Sequence, residues 1–491
     1  MVILIADDDK LIRFSLKSML LDIIPPDTRI VEAKNGRELV EQCGLIQPDI
    51  AFVDINMPYL NGIRAIEESK KSSPDTYYVV LTAYSDFSYA KQCIALQVFD
   101  YILKPIDPQK LGALLQKLTK ELSNSRERRN SDFQLRLLNT FNLWDEIGLS
   151  QYADSGDKGG ADNGYLGYLF FIDCSHNPEL YPQCYKELLS GIKEIGSSFI
   201  GQGSFYGILT SKEGALRLIF EGASNLCGDI TQKLHELCHS LSKGQCIITV
   251  LCTGASNLLD IYRTFEKVEK QSHIRFLFSP AAVHQLSPSV MQKIQQNLPL
   301  AKKIGDLMLA FLDADEVRYK NLLSEIRKQF PSFPPNISLS SLSRYIFTFT
   351  GVRPNSSNLE SFYASLKTLP GHMPHAEEIP AASKIRQIQD YIAKNYMNDI
   401  SITSLSDKFG LTPNYLSSLF HEKTGVKFIK YLTEVRISNA KRLLMQDEHI
   451  SVKNLALMVG YTSPRHFANL FQKYTGCYPS EFRKEFDTDA Q

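Results

Sequence analysis

The sequence contains no run of 18 apolar residues, so no membrane-spanning helix is predicted and no membrane partner is expected. Its start, Met1-Val2-Ile3-Leu4-Ile5, runs straight into Asp7-Asp8-Asp9, which breaks any apolar leader core. No Cys-x-x-Cys pair occurs among the nine cysteines, an odd number without framework spacing. That excludes a disulfide or zinc scaffold and predicts buried or free thiols in a reducing cytoplasm. Net charge is also lacking: 54 Lys and Arg balance 54 Asp and Glu, so affinity for a polyanion must come from a local excess. At 491 residues the chain is too long for one core and is expected to divide into about three domains.

A local excess exists. Residues 384–484 hold 15 Lys and Arg against 8 Asp and Glu, a net of +7, the electrostatic footprint of phosphate binding. The same stretch carries one pattern twice. The first copy has Ser401-Ile402-Thr403-Ser404-Leu405, Gly410-Leu411-Thr412-Pro413, Leu419-Phe420 and Thr424-Gly425. The second has Ser451-Val452-Lys453-Asn454-Leu455, Gly460-Tyr461-Thr462-Ser463-Pro464, Leu470-Phe471 and Thr475-Gly476. A repeat at this period predicts one supersecondary unit used twice. Each copy reads as helix, tight turn, helix. Gly ends the first helix in the left-handed conformation. Thr412 and Ser463 cap the second, with Pro413 and Pro464 at its first position. Apolar residues at helical spacing (Leu416, Leu419, Phe420; Phe467, Leu470, Phe471) form its buried stripe. The connector 428–446 contains neither Pro nor Gly and predicts a strut of roughly 28 Å. Two such units suit successive major grooves about 34 Å apart. A helical bundle with a solvated basic face is the plainer alternative, and the repeat weighs against it.

The run from Gly460 to Pro479, with Gly460-Tyr461, Phe467, Leu470-Phe471, Lys473 and Gly476 in place, resembles the second unit of AraC/XylS-type DNA-binding domains. Tyr478 departs from the Ser or Thr usual before the proline. The resemblance implies an all-α double helix-turn-helix over 384–485 that binds promoter double-stranded DNA. By position in the motif it sets Asn414, Ser417 and Ser418 of the first reading helix at the bases, and Arg465, His466 and Asn469 of the second. Arg465 is the strongest candidate for guanine, because a guanidinium matches O6 and N7 bidentately.

The first 122 residues alternate strand-like apolar runs with helical patterns, which predicts a parallel sheet covered on both faces. The runs end at Asp7-Asp8, Asp54, Thr82 and Lys104, the edge where such sheets bind ligands. Converging carboxylates need a hard cation, and Mg²⁺ suits an all-oxygen site. A carboxylate is also a nucleophile for a phosphoryl group. Any one of these residues alone reads as a solvated loop residue; five at four strand ends do not. The landmarks Ile5-Ala6-Asp7-Asp8-Asp9, Val53-Asp54-Ile55-Asn56-Met57-Pro58 with Gly62, Leu81-Thr82-Ala83-Tyr84 and Asp100-Tyr101-Ile102-Leu103-Lys104-Pro105 resemble the response-regulator receiver domain, with a flavodoxin-like α/β doubly wound fold. The resemblance implies Asp54 as phosphoacceptor and Asp7, Asp8 and Asp54 as Mg²⁺ ligands with the Asn56 carbonyl. It further implies Thr82 and Lys104 at the phosphoryl group, Tyr101 as the ring that turns inward on activation, and a sensor histidine kinase as donor. Asp9 is a lesser metal candidate.

Between these ends, 123–150 reads as a helical connector on the spacing of Phe133, Leu137, Phe141, Trp144 and Ile147, either a coiled-coil dimer contact or one more packed helix. Residues 151–163 are a Gly/Asp/Ser-rich loop, and 151–285 an α+β middle domain that faintly resembles nucleotide-cyclase-like (GGDEF-type) domains at Gly203-Ser204-Phe205-Tyr206-Gly207. Its metal carboxylates and glycine pair are missing and Asp173 alone cannot hold a metal, so no enzyme activity is expected. Residues 286–380 read as helices and a Pro-rich linker. The expectation is a multidomain, cytoplasmic, phosphorylation-controlled transcriptional regulator, an activator and homodimer with RNA polymerase as a candidate partner. The alternative is a ligand-sensing AraC-type regulator in which Asp54 is idle.

Overall fold

The computed structural model describes residues 1–26, 28–83, 92–147, 164–200, 204–211, 214–222, 224–242, 246–334, 337–373, 381–446 and 450–482. Tyr84, the loop at 151–163, Gly203 and the linker residues 374–380 lie outside them. The chain divides into two compact units, Met1–Ser131 and Asp132–Gln491.

The first unit is the expected parallel sheet. Strands β1 (Val2–Ala6), β2 (Arg29–Ala33), β3 (Ile50–Asp54), β4 (Tyr77–Thr82) and β5 (Asp100–Leu103) lie in the order β2-β1-β3-β4-β5. Helices α1 (Lys10–Leu21), α2 (Gly36–Ile46) and α3 (Gly62–Ser72) cross between strands. Alternate residues of a strand point to opposite faces. Leu4, Ala51, Val53 and Val80 therefore pack with α2 and α3 residues such as Leu39 and Ile66. Ile3, Ile5, Phe52 and Leu81 pack with Leu16, Leu20, Leu111 and Leu118 on the other side. Every residue of β3 is buried, which delivers Asp54 to the carboxyl edge from the centre of the sheet.

Helix α4 runs unbroken from Pro108 to Ile147. The sequence suggested a helix to about residue 122 and then a separate connector. The polar stretch between contains no Gly or Pro, so nothing stops the helix, and Arg126 pairs with Asp49 at 2.6 Å. Beyond it, Phe133, Leu137 and Phe141 are buried with Leu169, Phe171, Leu251 and Tyr262 in a core of the second unit. Gln134 bonds both the N–H and the carbonyl of Ile208, at 2.6 and 2.7 Å, satisfying an edge strand. The face that the spacing offered to a dimer is thus packed within the chain.

The middle domain is a second sheet of β6 (Tyr165–Asp173), β7 (Phe205–Thr210), β8 (Leu216–Glu221), β9 (Ile247–Ala255) and β10 (Val283–Gln285), in the order β10-β9-β6-β8-β7. With α5 (Leu180–Phe199) and α6 (Cys227–Leu241) the strands follow the βαββαβ pattern of a ferredoxin-like unit. Helix α7 (Leu258–Glu269) packs on the opposite face. Asp173 is no metal ligand here: both its oxygens lie 3.0 Å from Arg275 Nε, in a pair almost wholly buried. A second buried pair joins Arg217 to Glu269 through two bonds of 2.7 Å. The nine cysteines are free thiols, seven of them buried.

After residue 286, α8 (Pro288–Leu312), α9 (Glu316–Gln329), α10 (Leu339–Thr350) and α11 (Leu359–Thr368) share a core of Phe311, Tyr319, Tyr345 and Phe362. The segment is joined to the sheet, because Ile247 enters that core and Tyr345 hydrogen-bonds Thr249.

The last part comprises α12 (Ala381–Asn395), α13 (Ile402–Phe409), α14 (Pro413–Thr424), α15 (Phe428–Gln446), α16 (Val452–Met458) and α17 (Pro464–Thr475). Ser401 forms a capping box, and Thr412 and Ser463 accept from the N–H groups of Tyr415 and His466. Gly460 has φ +88°, and a Cβ there would lie 2.9 Å from the carbonyl oxygens of Tyr396 and Met397, so the turn admits no side chain.

Candidate functional site

The acidic pocket sits where the sheet topology puts it. Asp7 is fully buried, Asp54 nearly so and Asp8 exposed, with one carboxylate oxygen of each within 4.8 Å of the others. Lys104 enters from the end of β5, its Nζ 2.6 Å from Asp7 Oδ2 and 2.8 Å from Asp54 Oδ1. Three carboxylates and one ammonium leave two negative charges uncompensated, which fits a divalent cation with oxygen ligands. Burial pushes the Asp54 carboxyl above the ordinary aspartate value, and the charges of Asp7 and Asp8 act with it against the Lys104 contact. Burial alone would lower Lys104, but its bonds to Asp54 and Asp7 raise it, so it is a fixed cation.

The other candidates divide. Thr82 is buried at the end of β4, in line with the pocket. Asn56 is exposed on the loop after β3. Tyr101 is 56% exposed, its ring facing outward. Asp9 is spent on structure, because its carboxylate caps α1 by accepting from Leu11 N at 2.7 Å.

Two residues that hold the pocket carry no signal in the sequence, or only part of one. Arg13, 5% exposed, donates to the Asp7 and Asp8 carbonyls at 2.8 and 3.3 Å and pairs with Glu32 at 3.2 Å, fixing the acidic loop from behind. Its spacing from Asp9 reads as an ordinary helical surface position. Gly62 is a quoted landmark whose reason emerges only in space: a Cβ there would lie 2.0 Å from the Asp54 carbonyl oxygen. Gly62→Ala is expected to cost roughly 1–3 kcal/mol as β3 and α3 are forced apart, read by urea denaturation. An unchanged midpoint would show that the two backbones separate freely.

At the other end of the chain, Arg465 and Asn469 are exposed on the first turns of α17 and His466 is partly covered. In α14 the equivalent Asn414, Ser417 and Ser418 are each partly covered. Arg436, counted in the basic excess, is an internal tie: it donates to the Tyr396 and Asn398 carbonyls at 2.8 and 2.9 Å and lies 5.1 Å over the Tyr461 ring.

Residues 3–116 match the response regulator receiver domain model, and 405–485 match a helix-turn-helix domain model. Chemotaxis protein CheY of Thermotoga maritima is 38% identical over 120 residues, which cover 24% of this chain and 97% of that protein. The chain belongs to the response regulator family. This response regulator is also similar, at 21% identity across 98% of its length and 97% of the other's, to transcriptional regulatory protein YesN of Bacillus subtilis. The receiver domain of AraT, a response regulator from Geobacillus stearothermophilus, is 33% identical over 25% of this chain and 96% of that one, with a TM-score of 0.23. Further curated relatives are matched over about half of their own length or less. Among the described residues no helix is long and apolar enough to cross a membrane.

Proposed function

We propose that this response regulator is a phosphorylation-controlled, DNA-binding transcriptional regulator in which Asp54 is the phosphoacceptor and the two C-terminal helix-turn-helix units read promoter DNA. The observation that carries the reading is a complete acidic pocket, with its lysine, in one chain with a capped double helix-turn-helix. A carboxylate oxygen of Asp54 attacks the phosphorus of a phosphohistidine on a kinase. The new O–P bond makes an acyl phosphate as the P–N bond breaks and the imidazole nitrogen leaves with its electron pair. Asp7, Asp8 and Asp54, with the Asn56 carbonyl, would hold Mg²⁺, which offsets charge on the transferred group. Lys104 pairs with the phosphoryl oxygens and Thr82 hydrogen-bonds them. Tyr101, outward here, is the ring proposed to turn inward.

On the DNA side Arg465 reads guanine, with His466 and Asn469 beside it and Asn414, Ser417 and Ser418 at the neighbouring groove. A homodimer, RNA polymerase as a further partner, activation rather than repression, and a cytoplasmic setting belong to the same reading. Labelling by a small phosphodonor such as acetyl phosphate is expected to require Mg²⁺ and to fall to background with EDTA, followed by intact mass. Equal labelling with and without the chelator would contradict the cation's place in the pocket.

One observation favours a second input of the ligand-sensing kind. A cleft of about 640 Å³ between α9 and α11 has Tyr319, Leu323 and Tyr363 in its lining and Lys320, Arg327 and Lys367 around it, a setting for an organic anion.

A further inference from the structure

The two helix-turn-helix units share one motif and meet different surroundings. In the second, the cap Ser463 and the reading residues Arg465 and Asn469 are exposed. In the first, the equivalent cap Thr412 and Pro413 are buried, and Pro413 and Asn414 lie against the chain's own middle region. Asn414 Nδ2 lies 3.4 Å from the carbonyl of Ile172 on β6. The turn before β8 comes up against Pro413: a Cβ on Gly214 would stand 2.7 Å from Pro413 Cβ and 3.1 Å from Ile402 Cγ2. Gly214 has φ +83°, so glycine meets both the conformation and the close approach. Along the same helix, Glu422 pairs with Arg318 of α9, and Lys423 Nζ is 2.7 Å from Asp313 Oδ2 at the end of α8. The Tyr415 hydroxyl reaches Asp313 Oδ1 at 3.5 Å. The Asp313 side chain is 5% exposed and its partner Lys423 29%, so the carboxylate is covered while the lysine is still reached by solvent.

We propose that the middle region docks the first reading helix, α14, in an autoinhibited position, leaving the second, α17, open. The proposal rests on the reading that α14 enters the major groove, and goes beyond it by naming what holds the helix back. A reading helix presents its N-terminal turn to the base edges in a groove about 12 Å wide. That turn is where β6 and the Gly214 turn now lie, so DNA and the dock exclude each other. Among the described residues the holding contacts are ion pairs and single hydrogen bonds, and Arg318, Glu422 and Lys423 keep 31%, 22% and 29% exposure, so competing phosphates can reach them. The dock is therefore a reversible latch, and α17 engages DNA before α14 is released.

The test uses the full chain and a duplex that it selects from a random-sequence pool. Two releasing variants act by different chemistry. Arg318→Ala with Asp313→Asn removes the ionic hold. Gly214→Asn adds a side chain that tolerates positive φ and wedges against Pro413. Each is expected to tighten DNA binding about tenfold, the factor by which a one-in-ten competent population is raised to the whole. Each is also expected to speed hydrogen exchange of residues 412–424 in the absence of DNA. A thermal melt identifies a variant that fails to fold, and the other then decides. Unchanged affinity and exchange in the folded variants, with wild-type binding still dependent on Arg465 and Asn414, overturn the dock and leave DNA reading standing. Binding that ignores both Arg465→Ala and Asn414→Ala overturns the reading itself, and the dock with it.

Discussion

Asp54→Ala is expected to abolish labelling by a phosphodonor and with it all donor-dependent change in DNA affinity, while the first unit stays folded. The loss is expected to be total because, among the described residues, the other two carboxylates of the pocket are placed otherwise. Asp7 is fully buried and engaged by Lys104 and by the Asp9 N–H, and Asp8 is exposed at the rim. The fold survives because Lys104 keeps Asp7 at 2.6 Å as its counter-ion, so no buried charge is stranded. Asp54→Asn sharpens the comparison. It retains the shape and an acceptor for Lys104 but no anionic oxygen, and the same loss would assign Asp54 the bond-forming role rather than a packing one. Intact mass before and after hydroxylamine, which cleaves acyl phosphates, reads the result. Label persisting in either variant would place the acceptor elsewhere.

Arg465→Ala is expected to weaken binding to the selected duplex by about 1–3 kcal/mol, tenfold for each 1.4 kcal/mol, and to relax preference at a guanine. Its side chain is exposed on the first turn of α17, so the protein's stability should not move. Arg436→Ala is the instructive contrast. It lies in the same basic segment, yet it ties two carbonyls of the 396–398 turn to the Tyr461 ring. Its loss should lower the melting temperature and reduce DNA binding only through unfolding. Affinity and melting measured on both variants separate reading from scaffolding. Equal melting losses would contradict the division.

The acidic pocket was legible because a parallel sheet sends every strand's end to one edge, so residues far apart in sequence meet without any side-chain contact having to be foreseen. The double helix-turn-helix was legible through local signals, namely caps, Pro at the first position and Gly past the end. What stayed hidden is non-local. Arg13 looks like a surface residue until the acidic loop folds over it. The middle sheet is held by pairs such as Asp173 with Arg275 and Arg217 with Glu269, distant in sequence and without a motif. On sequence, helix α4 divides at residue 122 into the end of the receiver and a helical connector over 123–150, because the polar stretch after 122 hides the continuity of one helix. The cover over Asn414 comes from β6, some 240 positions earlier, which no local pattern announces.

The measurement that bears most directly on the central claim is affinity for the selected duplex with and without acetyl phosphate and Mg²⁺, for wild type and Asp54→Ala. The account predicts a gain in the treated wild type alone, with the other three samples alike. Equal binding in all four would contradict phosphorylation control and leave the basic cleft between α9 and α11 as the place to look for the input.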